Sequence, residues 1–80
     1  MLTRTKTLYE VLAWTDATNP QRPDRRSTWT RKTDATQIAR SQAKEYGLVE
    51  LNVLAVDPYD ENNIEGATLL ASWTNGKKTA

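Results

Sequence analysis

The order of apolar and polar residues along the chain predicts one helix placed between two pairs of strands. In residues 34–47 the side chains expected on one face recur at helical spacing. They are Ala35, Ile38, Ala39, Gln42, Ala43 and Tyr46. Asp34 is predicted as the N-cap, with Gln37 at the capping-box distance, and Thr33 is the alternative cap, one residue earlier. Gly47 is predicted as the left-handed residue that ends the helix. Because the stripe is mostly alanine, we expect this helix to lie close to an apolar sheet that completes its core.

The rest of the chain alternates between strand-like and turn-like composition. Its β-branched and aromatic segments are typical of strands, and two polar segments between them are typical of loops. The predicted fold class is therefore α+β, with order β-β-α-β-β and a four-stranded, mostly antiparallel sheet that carries the helix on one face. The 80 residues are predicted to form one domain with frayed ends at 1–6 and 76–80. The predicted strands are 7–15, 27–32, 48–56 and 66–74, and the predicted loops are 16–26 and 57–65.

Composition narrows the classes of function. The sequence has neither cysteine nor histidine, and so lacks the usual nucleophilic thiol, general base and metal ligands. We therefore predict a non-enzymatic protein with no metal or cofactor. No apolar run reaches the length of a membrane span, and residues 1–6 lack the apolar core of a signal peptide. The prediction is a cytoplasmic protein without a membrane partner.

The formal net charge of +1 conceals two oppositely charged halves. Residues 1–44 hold nine basic and four acidic residues, whereas residues 45–80 hold two basic and six acidic residues. Arginine side chains with an aromatic residue among them suit a phosphate backbone or an acidic protein surface, and otherwise form a solvated loop. The predicted binding residues are Arg22, Arg25, Arg26, Trp29, Arg31, Lys32, Arg40 and Lys44.

The acidic segment 57–65 is a second candidate surface. Its spacing does not match a calcium loop, because the alternating ligands and the central glycine are missing. Contact with a basic partner is the functional interpretation, and a plain turn is the alternative. The residues of this secondary site are Asp57, Tyr59, Asp60, Glu61 and Glu65.

The dipeptide Trp-Thr occurs three times, at 14–15, 29–30 and 73–74. Chance combined with β-propensity is one explanation. The functional hypothesis is an aromatic cluster on the open face of the sheet.

In size, compactness and β-β-α-β-β order, the chain resembles small proteins of phages and other mobile elements, including some anti-CRISPR proteins. The resemblance implies an inhibitor or adaptor that binds a larger host protein or complex without catalysis. The first alternative is a nucleic-acid-binding accessory protein that uses the Arg-rich region 16–32. The second is a homo-oligomeric structural protein joined through exposed strand edges or through a second apolar face of the sheet.

Overall fold

The protein is described here by a computed structural model that covers residues 4–18 and 21–80. Residues 1–3 of the predicted frayed start, and residues 19–20 of the first predicted loop, lie outside this description. The elements are β1 (Lys6–Trp14), β2 (Arg25–Trp29), α1 (Lys32–Ala43), β3 (Leu48–Asp57), β4 (Asp60–Thr74) and β5 (Lys77–Lys78).

All strand pairs of this sheet are antiparallel, and the spatial order is β2-β1-β3-β4-β5. The predicted α+β class is confirmed, but the sheet has five strands instead of four. The additional strand forms because Asn75 and Gly76 both have positive φ, of 51° and 84°, as a two-residue hairpin turn requires. Lys77 and Lys78 then pair with β4, and the Thr79 N–H donates to the Ser72 carbonyl at 2.8 Å. The chain end for which we expected fraying is therefore paired.

The helix lies across β1, β3 and β2, as its alanine stripe predicts. Ala35, Ala39 and Ala43 are buried, and they share one core with apolar residues of the sheet. The sheet residues of this core are Val11, Ala13, Val49, Leu51, Ala71 and Trp73. Each alanine contributes only about 1 kcal/mol by burial, so most of the apolar area comes from the strands.

The helix N-cap lies three residues before the predicted one, at Arg31 instead of Asp34. Arg31 occupies the cap position without a side-chain hydrogen bond, and Lys32 is already helical. The shift follows from β2, which ends at Trp29, its last residue paired with β1, and not at Lys32 as predicted, so only Thr30 and Arg31 separate the strand from the helix. Asp34 lies instead in the first turn, where the helix dipole favours a carboxylate.

The predicted role of Gly47 is also wrong. The helix ends at Ala43, and Gly47 is not among the positive-φ residues of the described chain. A side chain is excluded there for another reason: a Cβ atom would lie 2.6 Å from the Thr15 carbonyl oxygen and 2.9 Å from the Ala17 nitrogen. Gly47 also accepts a hydrogen bond from the Asn75 N–H at 2.8 Å, and its own N–H donates to Thr15 at 3.2 Å. This glycine therefore joins the ends of β1 and β4.

Three strands begin earlier than predicted, and the first of them, β1, starts at Lys6, one residue early and within the segment predicted to fray. β2 starts at Arg25 because the Asp24 N–H donates to the Ala13 carbonyl at 2.8 Å, which starts the pairing with β1. β4 starts at Asp60, so most of the predicted acidic loop belongs to a strand. Its turn is short because Asp57 Oδ1 accepts from the Tyr59 N–H at 2.9 Å and fixes the chain reversal.

A second, smaller cluster lies on the face of the sheet away from the helix. Leu8, Leu54 and Val56 form it, and all three are buried. The register explains why these side chains share a face. Leu8 lies opposite Leu54, and the residues before and after each of them along the strands are on the face that carries the helix. The sheet therefore has an apolar side that α1 does not cover.

Candidate interaction surface

The predicted basic residues do not come together at one place. Arg26 lies on the sheet face away from the helix, because it stands opposite Leu12 in the register. Its Nε donates to Glu10 Oε2 at 2.6 Å, and Glu10 is only 8% exposed. Arg26 is therefore engaged in a partly buried ion pair within the fold.

Trp29 is not a free stacking platform. It is half-buried, packs against the core beside the helix and donates from Nε1 to Ser27 Oγ at 2.8 Å. The hypothesis of a tryptophan cluster on the open sheet face is wrong as well. Trp73 lies in the core with the helix, whereas Trp14 is on the other face and donates from Nε1 to the Gln21 carbonyl at 3.1 Å.

Arg22 and Arg25 are exposed near the start of β2, at the far edge of the sheet from β4. Arg22 shares a polar depression with Asp16 and Asp24, so opposite charges are close by. Hydrogen bonds from the Thr18 hydroxyl and N–H lower the pKa of Asp16. The Thr15 N–H donates to Asp24 Oδ2 at 2.7 Å and lowers the pKa of Asp24. These carboxylates are occupied in closing the loop between β1 and β2.

The remaining basic residues include two that define a groove beside the helix. Lys32 and Arg40 are two turns apart on one flank of α1, with Thr36 between them. Lys78 of β5 stands on the other side of this groove, whose volume is about 190 Å³. Arg31 at the helix N-cap and Lys44 at its C-cap are exposed but do not line the groove.

The floor of the groove is apolar. Leu51, Ala71 and Trp73 are buried there, and Leu70 is 38% exposed. The groove exists because α1 packs over β1, β2 and β3, and only Ala71 and Trp73 of β4 enter the core that they share with the helix. Leu70 is the extra residue of a β-bulge, since Leu51 pairs with Ala71 and the next residue, Asn52, pairs with Leu69. Among the residues that the structure describes, no carboxylate lines the groove, so the positive charges of Lys32, Arg40 and Lys78 are uncompensated there.

The secondary acidic site is a hairpin end instead of a loop. Asp57 and Asp60 flank the two-residue turn, and Tyr59 at its tip is 98% exposed. Glu61 pairs with the Lys6 ammonium at 2.7 Å, and Glu65 is exposed along β4. Four of the five predicted residues therefore lie at the end of the β3–β4 hairpin and Glu65 lies further along β4, all of them separate from the residues of the groove.

The sequence did not predict that Leu70, Trp73 and Lys78 line one groove. The available signal was Asn75-Gly76, a pair typical of a two-residue hairpin turn, which places the following lysines beside β4. The proximity of Lys78 to Lys32 and Arg40 depends on packing of the helix, and local sequence carries no signal for it.

Within residues 4–18 and 21–80, no group of three or more aspartate, glutamate, histidine or cysteine residues is arranged to hold a metal ion. Across the same ranges, no helix combines the length and the apolar character that spanning a bilayer requires. Comparisons with family models, curated proteins and solved structures found no match to this chain.

Proposed function

We propose that this chain is a non-enzymatic protein-binding module, an inhibitor or adaptor that docks on a larger protein complex through the groove between α1 and β4. The observation that carries the proposal is the set of Lys32, Arg40 and Lys78 around an apolar floor, with no carboxylate in the lining. Such a surface matches a protein segment that presents carboxylates next to an apolar side chain. Phage or mobile-element origin belongs to the proposal through the resemblance in size and element order.

The apolar floor favours protein over nucleic acid as the partner. A nucleic-acid surface combines cations with exposed aromatic faces on which bases stack. In this chain Trp14 and Trp73 are buried, and Trp29 is half-buried against the core. Arg26 is paired with Glu10 on the other side of the sheet, so the basic residues do not form one continuous stripe.

The test is affinity capture from a host lysate, followed by binding measurements with the purified protein that is captured. We expect saturable binding by the wild type and a loss of about tenfold or more for Lys32→Glu/Arg40→Glu, because both charges face the groove. The matched control is Arg22→Glu/Arg25→Glu, which makes the same change in net charge at the opposite edge of the sheet. We expect the control to bind like the wild type.

Equal loss in the two double variants would contradict the groove as the binding site. The absence of any saturable protein partner would contradict the function itself. An anisotropy titration with oligonucleotides tests the nucleic-acid alternative. Phosphate contacts would make the affinity fall steeply as the salt concentration rises. Tight, salt-sensitive binding to oligonucleotides with no protein captured would favour the nucleic-acid function.

A further inference from the structure

Strand β4 has a long exposed edge. Every residue from Asp60 to Leu70 is exposed, although all of them belong to a strand. Within the described part of the chain, β3 is the only strand beside this segment, because β5 pairs only with Trp73 and Thr74. The outward N–H and C=O groups of such an edge are free to pair with another strand.

The part of this edge suited to pairing is short and well defined. Residues 66–69 pair with β3 without a register shift, and shifts lie on both sides of this run. Leu69 within it is 47% exposed, and Ile64 just before it is 43% exposed. By register, Leu69 and Ala67 lie on the sheet face away from the helix, next to the second apolar cluster. An added strand would cover these side chains and satisfy the backbone groups.

The two ends of the edge carry opposite charge. Asp57, Asp60 and Glu61 lie at the hairpin end, where Lys6 pairs with Glu61, and Glu65 follows along β4 just before residues 66–69. The basic residues Lys32, Arg40, Lys77 and Lys78 lie at the other end. When a second copy of β4 pairs in antiparallel orientation, the acidic end of each copy lies beside the basic end of the other. In parallel orientation, the acidic ends would meet each other and the basic ends would meet each other. Charge complementarity therefore selects both the occupant and its direction.

We propose that two copies of this chain form a symmetric dimer through antiparallel pairing of their β4 strands. A two-fold axis perpendicular to the sheet at Thr68 pairs residues 66–70 of the two copies, the part of the edge that β5 leaves free, and keeps both helices on one face of a joined sheet. Ala67 and Leu69 of each copy then meet those of the other on the opposite face. Because Lys78 belongs to both surfaces, the dimer competes with the partner protein for the groove. The inference does not depend on that partner.

The experiment is sedimentation velocity across micromolar concentrations with two charge-reversed variants. Lys77→Glu/Lys78→Glu cancels the positive charge of the basic end, where Lys32 and Arg40 remain, and Asp60→Lys/Glu65→Lys cancels the negative charge of the hairpin half of β4. We expect the wild type to dimerise, with a dissociation constant that rises with salt because exposed charges are screened. Each variant alone should dimerise about tenfold more weakly or not at all, and their equimolar mixture should dimerise again.

Recovery in the mixture is the specific signature, because misfolded variants would not recover on mixing. Circular dichroism of each variant provides the check that both are folded. Leu69→Lys tests the edge itself: it adds a charge at an exposed position and should leave a folded monomer. A wild type that stays monomeric throughout the concentration range would overturn the proposal. A folded mixture that does not associate, or dimerisation unchanged by Leu69→Lys, would also overturn it.

Discussion

Strands β1 and β4 both pair with β3, yet their surroundings differ along most of their length. β1 has a strand on each side and α1 across one face, and most of its residues are buried or half-buried. β4 has β3 on one side, an almost open edge on the other and no helix above its first eleven residues. The contrast indicates that β1 contributes more buried area to the core than β4, which leaves residues 60–70 exposed.

The contrast arises because α1 is too narrow to cover every strand of the sheet. A stripe of alanines lets α1 lie low on the sheet, but short side chains reach only the strands directly beneath them. β4 is one strand further from β1, so its apolar residues are covered only where Ala71 and Trp73 enter the core. The groove and the open edge both follow from this arrangement.

The largest expected effect compares a leucine beneath the helix with one on the β4 edge. Leu51 is 2% exposed in the core, so Leu51→Ala should lower the free energy of unfolding by about 2–5 kcal/mol through lost burial and a cavity. Leu69 is 47% exposed, and Leu69→Ala should cost less than about 1 kcal/mol in the monomer. Urea unfolding at low protein concentration measures both. Similar losses at the two positions would remove the distinction between the strands.

Two glycines allow the same comparison between a crowded and an open part of the backbone. Gly47→Ala should destabilise the fold by about 1–3 kcal/mol, because its Cβ would meet the Thr15 carbonyl oxygen at 2.6 Å. At Gly66 of β4 a Cβ meets no heavy atom within 4 Å, so Gly66→Ala is the matched control and should change stability by less than about 0.5 kcal/mol. Thermal unfolding of the pair is the measurement. A stable Gly47→Ala protein would mean that the contact with Thr15 is dispensable.

A smaller difference in stability is expected between variants that break the two ion pairs of β1. Arg26→Ala leaves the nearly buried Glu10 carboxylate without its partner and should cost about 1–2 kcal/mol. Lys6→Ala breaks the exposed pair with Glu61 near the hairpin end and should cost about 0–1 kcal/mol. The denaturant midpoints of the two variants show which substitution lowers stability more. If Lys6→Ala were the more damaging change, the assignment of Arg26 to the fold would fail.

The smallest expected effect is on acid stability. The Thr15 N–H holds the pKa of Asp24 below its ordinary value, so the native state binds fewer protons than the unfolded state. The stabilisation is then present above the ordinary pKa and is lost as pH falls through the lowered one. Asp24→Asn should be less stable than the wild type at pH 6, and the difference should shrink towards pH 2–3. A difference in Tm that stays constant over this range would argue against the hydrogen-bonded carboxylate.

The sequence predicts what depends on local pattern and misses what depends on distant partners. The alanine stripe, the first strand and the strand after the helix follow from periodicity, and so does the α+β class. The early start of β2 depends on the bond between Asp24 and Ala13, residues on different elements. The segment Asp60–Glu65 has the composition of a turn, and it is a strand because it continues the hairpin with β3.

The candidate surface was predictable only in part. Lys32 and Arg40 follow from the helix pattern, since positions eight residues apart lie on the same side. The engagement of Arg26 depends on the register that brings it to Glu10, and a shift of one residue would reverse the face. The contribution of Lys78 requires both the Asn75-Gly76 turn and the position of the helix over the sheet.

The central claim is that the β4 side, not the β2 side, contacts the partner. Hydrogen exchange of the chain, alone and saturated with the captured protein, tests this claim most directly. We predict slower exchange on binding in peptides that cover residues 32–40 and 66–73, with residues 21–29 unchanged. Protection confined to residues 21–29, with β4 still exchanging as in the free protein, would contradict the claim.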